Sequence, residues 1–149
     1  MSVLDRLQPL RKYFVEEGVI KPNRKYFVFN SDDIRRLFQD LIKILGYENF
    51  YVATIVGTDL IDEGKIRIDY YVVILPEEET VVFRTYVPRD NPVIDSLFDL
   101  IPGVLSGECE THDLLGVVFK GNPHLRRGFF VAKELVEKKI YPLRKDARL

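Results

Sequence analysis

Cysteine is all but missing from this chain. Cys109 stands alone, so no disulfide closes within the chain and no cysteine-ligated cluster can be built. Histidine is nearly as scarce, with His112 and His124 alone, and zinc or haem sites made of clustered Cys and His are thereby excluded. The expectation is a chain with no cofactor and no metal of its own. No apolar run approaches the roughly 18 residues that a spanning helix needs. Met1-Ser2-Val3-Leu4-Asp5-Arg6 lacks the charged-then-apolar layout of a secretion signal, so a soluble protein in the compartment of its synthesis is expected. Linkers, internal repeats and low-complexity tracts are absent as well.

What is there suits one folded domain. The 149 residues are 46% hydrophobic, with ten Phe and eight Tyr, which excludes general disorder. A chain of this size buries roughly 68–70% of the surface its unfolded form exposes. The net charge of −1 hides an asymmetry. From Asp59 to Asp113 there are thirteen acids against four bases, a net of −9; from Lys120 to Leu149 there are nine bases against three acids, a net of +6. An acidic body with a basic C-terminal arm fits an extended docking surface or attraction to anionic headgroups. It also fits a solvated helix with a frayed tail.

Periodicity predicts the elements. Val3, Leu4, Leu7, Leu10, Phe14 and Val15 have helical spacing, interrupted at Pro9 and ended at Gly18. Lys21 to Arg24 is a turn before a short strand, Tyr26 to Phe29. Ile34, Leu37, Phe38, Leu41, Ile42 and Leu45 form one apolar helical stripe, with Asn30 or Ser31 as N-cap and Gly46 at the C-terminal end. Three strands follow, Phe50–Thr58, Lys65–Leu75 and Thr80–Val87, joined by short polar turns that predict antiparallel neighbours. A short helix through Val93, Ile94, Leu97, Phe98 and Ile101 is expected after Asn91-Pro92, broken at Pro102-Gly103. Helices from about Leu105 to Leu115 and from Phe129 to Lys139 complete the reading, with Gly116 to Pro123 irregular. Tyr141 to Leu149 is too polar to pack and is expected to order only on a partner. The fold class is α+β: an antiparallel sheet of about four strands packed by helices. Residues 1–103 form the sandwich and 104–149 a partly irregular segment and arm.

Titratable groups are densest at Glu108-Cys109-Glu110-Thr111-His112-Asp113. Carboxylates, an imidazole and a thiol there suit a small metal-dependent enzyme. Structural ion pairs are the plainer account, because no nucleophile with its base and oxyanion donors accompanies the cluster. Gly116 and Gly121 match neither a P-loop nor a dinucleotide fingerprint and are read as turns. Arg126-Arg127 and Arg144-Lys145 suit phosphate, yet no aromatic-interleaved basic stripe supports nucleic acid. Bidentate pairing with Glu108, Glu110 or Asp113, or with a partner, is the reading preferred.

These residues also carry a resemblance. Glu108-x-Glu110-x-x-Asp113-Leu114-x-Gly116-Val117-x-Phe119-x-Gly121-x-Pro123-x-Leu125-Arg126-Arg127 resembles the signature of the thirty-kilodalton subunit family of respiratory complex I, and Pro142-Leu143-Arg144-Lys145-Asp146 resembles its second landmark. Pro92-x-x-Asp95-Ser96-Leu97-Phe98-Asp99-Leu100-Ile101-Pro102 is similar to the segment before the signature. The likeness runs from Val56 onward. Cys109, His112 and Asn122 depart from the family's arginine, aromatic or leucine, and histidine. The chain also stops just past the second landmark, which leans toward the membrane-bound hydrogenase, formate hydrogenlyase or archaeal members. The resemblance implies a non-catalytic subunit in the peripheral arm of a membrane-bound oxidoreductase complex, on the cytoplasmic side. It implies no cofactor in this chain, with iron–sulfur clusters, or a nickel–iron centre, in the partners. Those partners are the large subunit related to the forty-nine-kilodalton subunit and to nickel–iron hydrogenase, and the small 4Fe-4S subunit. Glu108, Glu110, Asp113, Arg126, Arg127, Arg144 and Lys145 become partner-binding residues, and Gly116, Gly121, Pro123 and Pro142 set the path of the segment.

Overall fold

Ile66, Ile68, Tyr70, Val72 and Ile74 alternate along one strand and are all completely buried, so one face of a sheet carries the core. The computed structural model describes residues 1–149. In chain order the elements are α1 (Val3–Arg6), β1 (Phe14–Ile20), β2 (Arg24–Phe29), α2 (Ile34–Leu45), β3 (Phe50–Leu60), β4 (Lys65–Ile74), β5 (Glu79–Pro88), β6 (Val93–Asp95), α3 (Leu105–Leu115), β7 (Val118–Lys120) and α4 (Lys133–Glu137). The five-stranded sheet has the order β1-β2-β5-β4-β3; β6 and β7 pair separately. Every neighbour within the five-stranded sheet is antiparallel except β2 and β5, which run parallel. The class is the expected α+β, with five strands where about four were expected.

The stripe of α2 behaves as its spacing dictates. Asn30 accepts a hydrogen bond from the Asp32 N–H and caps the short 3-10 turn Ser31–Asp33 that leads into the helix, and Gly46 leaves the helix at φ 82°. Ile34, Leu37, Phe38, Leu41 and Leu45 are buried against the sheet, where the Phe38 ring lies 5.7 Å from both Tyr70 and Phe83. Burial of each such side chain contributes roughly 1.5–3 kcal/mol. One cluster joins α1, α2 and the sheet to Val104, Leu115, Val117 and Phe119, so the core continues without a break across residue 103.

Five expectations are corrected, the briefest being Gly116 to Pro123, expected irregular, which holds strand β7. The first helix breaks at Pro9 as foreseen, but Phe14–Ile20 is a strand and Gly18 sits inside it. Gly18 faces Tyr26 across the pair, and a Cβ there would lie 2.5 Å from the tyrosine ring. Phe14 meanwhile stacks on Phe27 at 4.5 Å. These cross-strand contacts outweigh the helical spacing. The helix expected over Val93–Ile101 is absent. Val93–Asp95 pairs with β7 instead, and turns follow, because Ser96 and Leu97 are bound by the Glu108 carboxylate. The last helix is confined to Lys133–Glu137, since the N–H groups of Gly128, Phe130 and Val131 turn inward to Asp113. Finally, the tail packs through polar bonds. The Leu143 N–H reaches Leu114 C=O (3.0 Å), Arg144 Nε reaches Leu115 C=O (2.8 Å) and the Lys145 N–H reaches Asp59 (2.8 Å).

Candidate functional site

Helix α3 is built inside out. Its buried residues are Glu108, Cys109, Thr111, Asp113 and Leu115, so two of its carboxylates face the interior. Glycines let it lie close to β3: a Cβ on Gly107 would come within 3.1 Å of Ile55, and one on Gly57 within 2.4 Å of Leu115. From this seat α3 aims each carboxylate at a different loop.

Glu108 Oε1 accepts from the Ser96 hydroxyl (2.6 Å) and Asn122 Nδ2 (2.9 Å), while Oε2 accepts from the Leu97 N–H (2.9 Å). Burial pushes its carboxyl above the usual range, and the three donors counter that only in part. Asn122 stands where the resembled signature has histidine. It serves as the bridge between Glu108 and the His124 N–H (2.8 Å), so the departure has a structural use.

Asp113 organises the loop that follows. Its Oδ1 takes Arg127 Nε (3.1 Å) and the Gly128 N–H (3.0 Å), and its Oδ2 takes the N–H groups of Phe130 (2.6 Å) and Val131 (3.0 Å). Burial alone would raise this carboxyl, yet those donors prevail and hold it below the usual range. Arg127 also donates to the carbonyls of Asp113 (3.1 Å) and Ile140 (2.6 Å) and lies 4.1 Å over the Tyr141 ring.

A third buried carboxylate was missed by sequence reasoning. Asp59 is gripped by Arg89 through two bonds (2.7 and 2.9 Å) and receives the Lys145 N–H; the Arg89 bond is the chief reason its carboxyl is held down. Arg89 reaches Asp146 as well (2.7 Å). Asp59 and Arg89 meet only through the β3–β4–β5 register, so no spacing in the sequence signals them.

Of the residues expected to bind a partner, Glu108, Asp113, Arg127 and Arg144 are therefore engaged within the chain. Glu110, Arg126 and Lys145 remain exposed. Arg126 lies 5.5 Å over Phe129, which is exposed like Phe130 and Leu143. Gly116 and Gly121 hold positive φ, 83° and 96°, and the Tyr141 ring closes over Gly116. Pro123 and Pro142 lie in turns of the same segment. Cys109 is buried with its thiol 3.8 Å from His124 C=O, and burial pushes that thiol up. His112 Nδ1 bonds to Val117 C=O (2.8 Å). Nowhere are three His, Cys, Asp or Glu side chains gathered to hold a metal ion, and the Glu108–Asp113 cluster splits between two loops.

Known proteins are similar to this chain in sequence and fold. The chain is 29% identical over 147 residues to an NADH-quinone oxidoreductase subunit of Moorella thermoacetica, across 96% of this chain and 93% of that one. It spans 57% of the chloroplastic NAD(P)H-quinone oxidoreductase subunits of Chaetosphaeridium globosum and Staurastrum punctulatum that it also matches. Among solved structures, a chain of the membrane-bound sulfane sulfur reductase, an archaeal respiratory membrane complex, superposes with TM-score 0.78 at 26% identity, covering 99% of this chain and 84% of that. The trypsin-resistant fragment (1-134) of Nqo5 shares the fold, with TM-score 0.69 at 23% identity, covering 84% of this chain and all of the fragment. No helix here is long and apolar enough to cross a membrane. Residues 27–149, from β2 to the end of the arm, match the family described as respiratory-chain NADH dehydrogenase, 30 Kd subunit, and the chain belongs to that family.

Proposed function

We propose that this chain is a non-catalytic assembly subunit in the peripheral arm of a membrane-bound oxidoreductase, of the NADH–quinone or membrane-bound hydrogenase kind. It docks through its signature segment onto the large subunit related to nickel–iron hydrogenase, beside the small 4Fe-4S subunit, on the cytoplasmic side. The redox centres belong to those partners. One observation carries the reading: the segment after β7 buries the Asp113 carboxylate at its root and leaves Phe129 and Phe130 in water, with the exposed Arg126 over the Phe129 ring. An exposed aromatic pair under an arginine on an otherwise hydrogen-bonded loop is the surface of something meant to be covered. The relatives support it, since the Moorella protein is named as a subunit of an oxidoreductase and the solved chain lies in a respiratory membrane complex.

The test is purification of the tagged chain from its native membranes, with the wild type compared to Phe129→Asp/Phe130→Asp. The wild type should bring a large subunit related to nickel–iron hydrogenase. The double variant should lose that subunit while the isolated chain melts as before. Recovery of the wild type free of any large subunit, or a stoichiometric metal and turnover in the purified chain, would overturn the proposal.

A further inference from the structure

Helices cover one face of the five-stranded sheet and leave the other bare. On the bare face β2, β5 and β4 place Tyr26, Val82 and Tyr71 in one row and Val28, Arg84 and Asp69 in the next. Val82 and Asp69 are almost wholly shut off from water, yet neither belongs to the core cluster beneath the helices. Their cover is a layer of rings and cations. The Arg84 guanidinium lies 4.2 Å from the centre of the Tyr26 ring, that of Arg24 5.9 Å from Tyr71, and the Lys65 ammonium 4.3 Å from Tyr86. A sheet face that only meets solvent has no need of such groups. Tyrosine and arginine offer large contact area at low ordering cost, which is why they dominate the centres of protein interfaces.

Charge decides what the face would receive. Arg24, Lys65, Arg67 and Arg84 stand on it against Asp69 and Glu16. Asp69 is held by Arg84 through two bonds (2.8 and 3.3 Å). Arg67 Nε lies 3.4 Å from Asp69 but out of line for a hydrogen bond, so a buried N–H is left without an acceptor. Lys65 reaches only the exposed Glu63, at 3.5 Å. Arg67 also donates to the Thr58 hydroxyl (3.4 Å), so its charge is held within the sheet, whereas Arg24 pairs with no carboxylate of the chain. That surplus positive charge calls for carboxylates from outside the chain.

We infer that this face is a second docking surface, made for a protein surface with clustered Asp and Glu on another subunit of the same assembly. The incoming carboxylates would face Arg24 and Lys65. Acceptors around them would take the hydroxyls of Tyr26, Tyr71 and Tyr86. The inference rests on the assembly reading above and adds to it a surface separate from the Phe129–Phe130 pair.

The assembled complex tests it, with a photo-cross-linking side chain placed at Tyr71 and, separately, with the pair Arg24→Glu/Lys65→Glu. Irradiation should join position 71 to one subunit, at a peptide rich in Asp and Glu. The charge reversal should weaken retention of the chain about tenfold as salt is raised, without moving the melting of the chain alone. A cross-link to lipid, to nucleic acid or to nothing would overturn the inference, as would retention equal to wild type. If the Phe129/Phe130 variant is lost while Arg24→Glu/Lys65→Glu stays bound, only the sheet-face inference falls. If the wild-type chain is recovered free of every subunit, both readings fall.

Discussion

At the scale of single residues, the buried carboxylates make opposite demands on pH. Asp113 accepts four bonds from donors alone, and an amide in its place would turn an NH2 group toward at least one of them. Asp113→Asn should therefore cost about 3 kcal/mol in denaturant unfolding at neutral pH and speed tryptic cleavage after Arg126 and Arg127. Its pKa is depressed in the fold, so the stability it contributes is present above its unfolded value of about 3.9 and is lost as pH falls through the folded one. The gap between wild type and Asp113→Asn should close below about pH 4. Glu108→Gln likewise sets an amide NH2 against a donor and should cost about 1–3 kcal/mol. Here the pKa is raised, so the sign reverses: the wild type's advantage is fullest below about pH 4 and shrinks as pH rises through the folded value. Unfolding curves across pH for both variants check the pair. The sequence showed these residues as a charged cluster, because residue type and proximity along the chain are visible there. It could not show that Glu108 and Asp113 face inward, since α3 has no apolar stripe and its orientation is set by Gly57 and Gly107 at the contact with β3.

At the scale of elements, that close approach of α3 to β3 is the feature most open to test. Gly57→Ala would place a methyl 2.4 Å from Leu115 Cδ1, whose side chain is itself buried. The helix or the leucine must shift, and a loss of about 1–3 kcal/mol is expected in thermal or denaturant unfolding. Gly107→Ala should cost less, because the tight 3.1 Å contact with Ile55 is offset by the roughly 0.5–1 kcal/mol that alanine gains inside a helix. Helix α2 and strands β3 to β5 were legible because each carries its own pattern along most of its length. Strand β1 was not, as Gly18 is explained only by the ring of Tyr26 lying across it. Nor was β6, whose three residues pair with an equally short β7 and leave no periodic trace.

At the scale of the whole molecule, the arm and the body are one structure. Removing Tyr141–Leu149 strips the Lys145 N–H and the Asp146 partner of Arg89 from around buried Asp59, and takes Arg144 from the end of α3. The truncated chain should lose about 2–4 kcal/mol of stability, measured by denaturant unfolding, where a merely solvated tail would leave it unchanged. The charge asymmetry was visible from composition, but the parallel join of β2 to β5 was not, because antiparallel turns announce themselves locally and a long-range parallel pair does not. That join also orders events in time. Strands β3, β4 and β5 can zip as a meander through adjacent turns, whereas the hairpin of β1 and β2 has nothing to lie against until β5 exists. The hairpin synthesised earliest therefore gains its neighbour in the sheet only once β5 has been made, and Phe27 and Phe83 cannot meet before then.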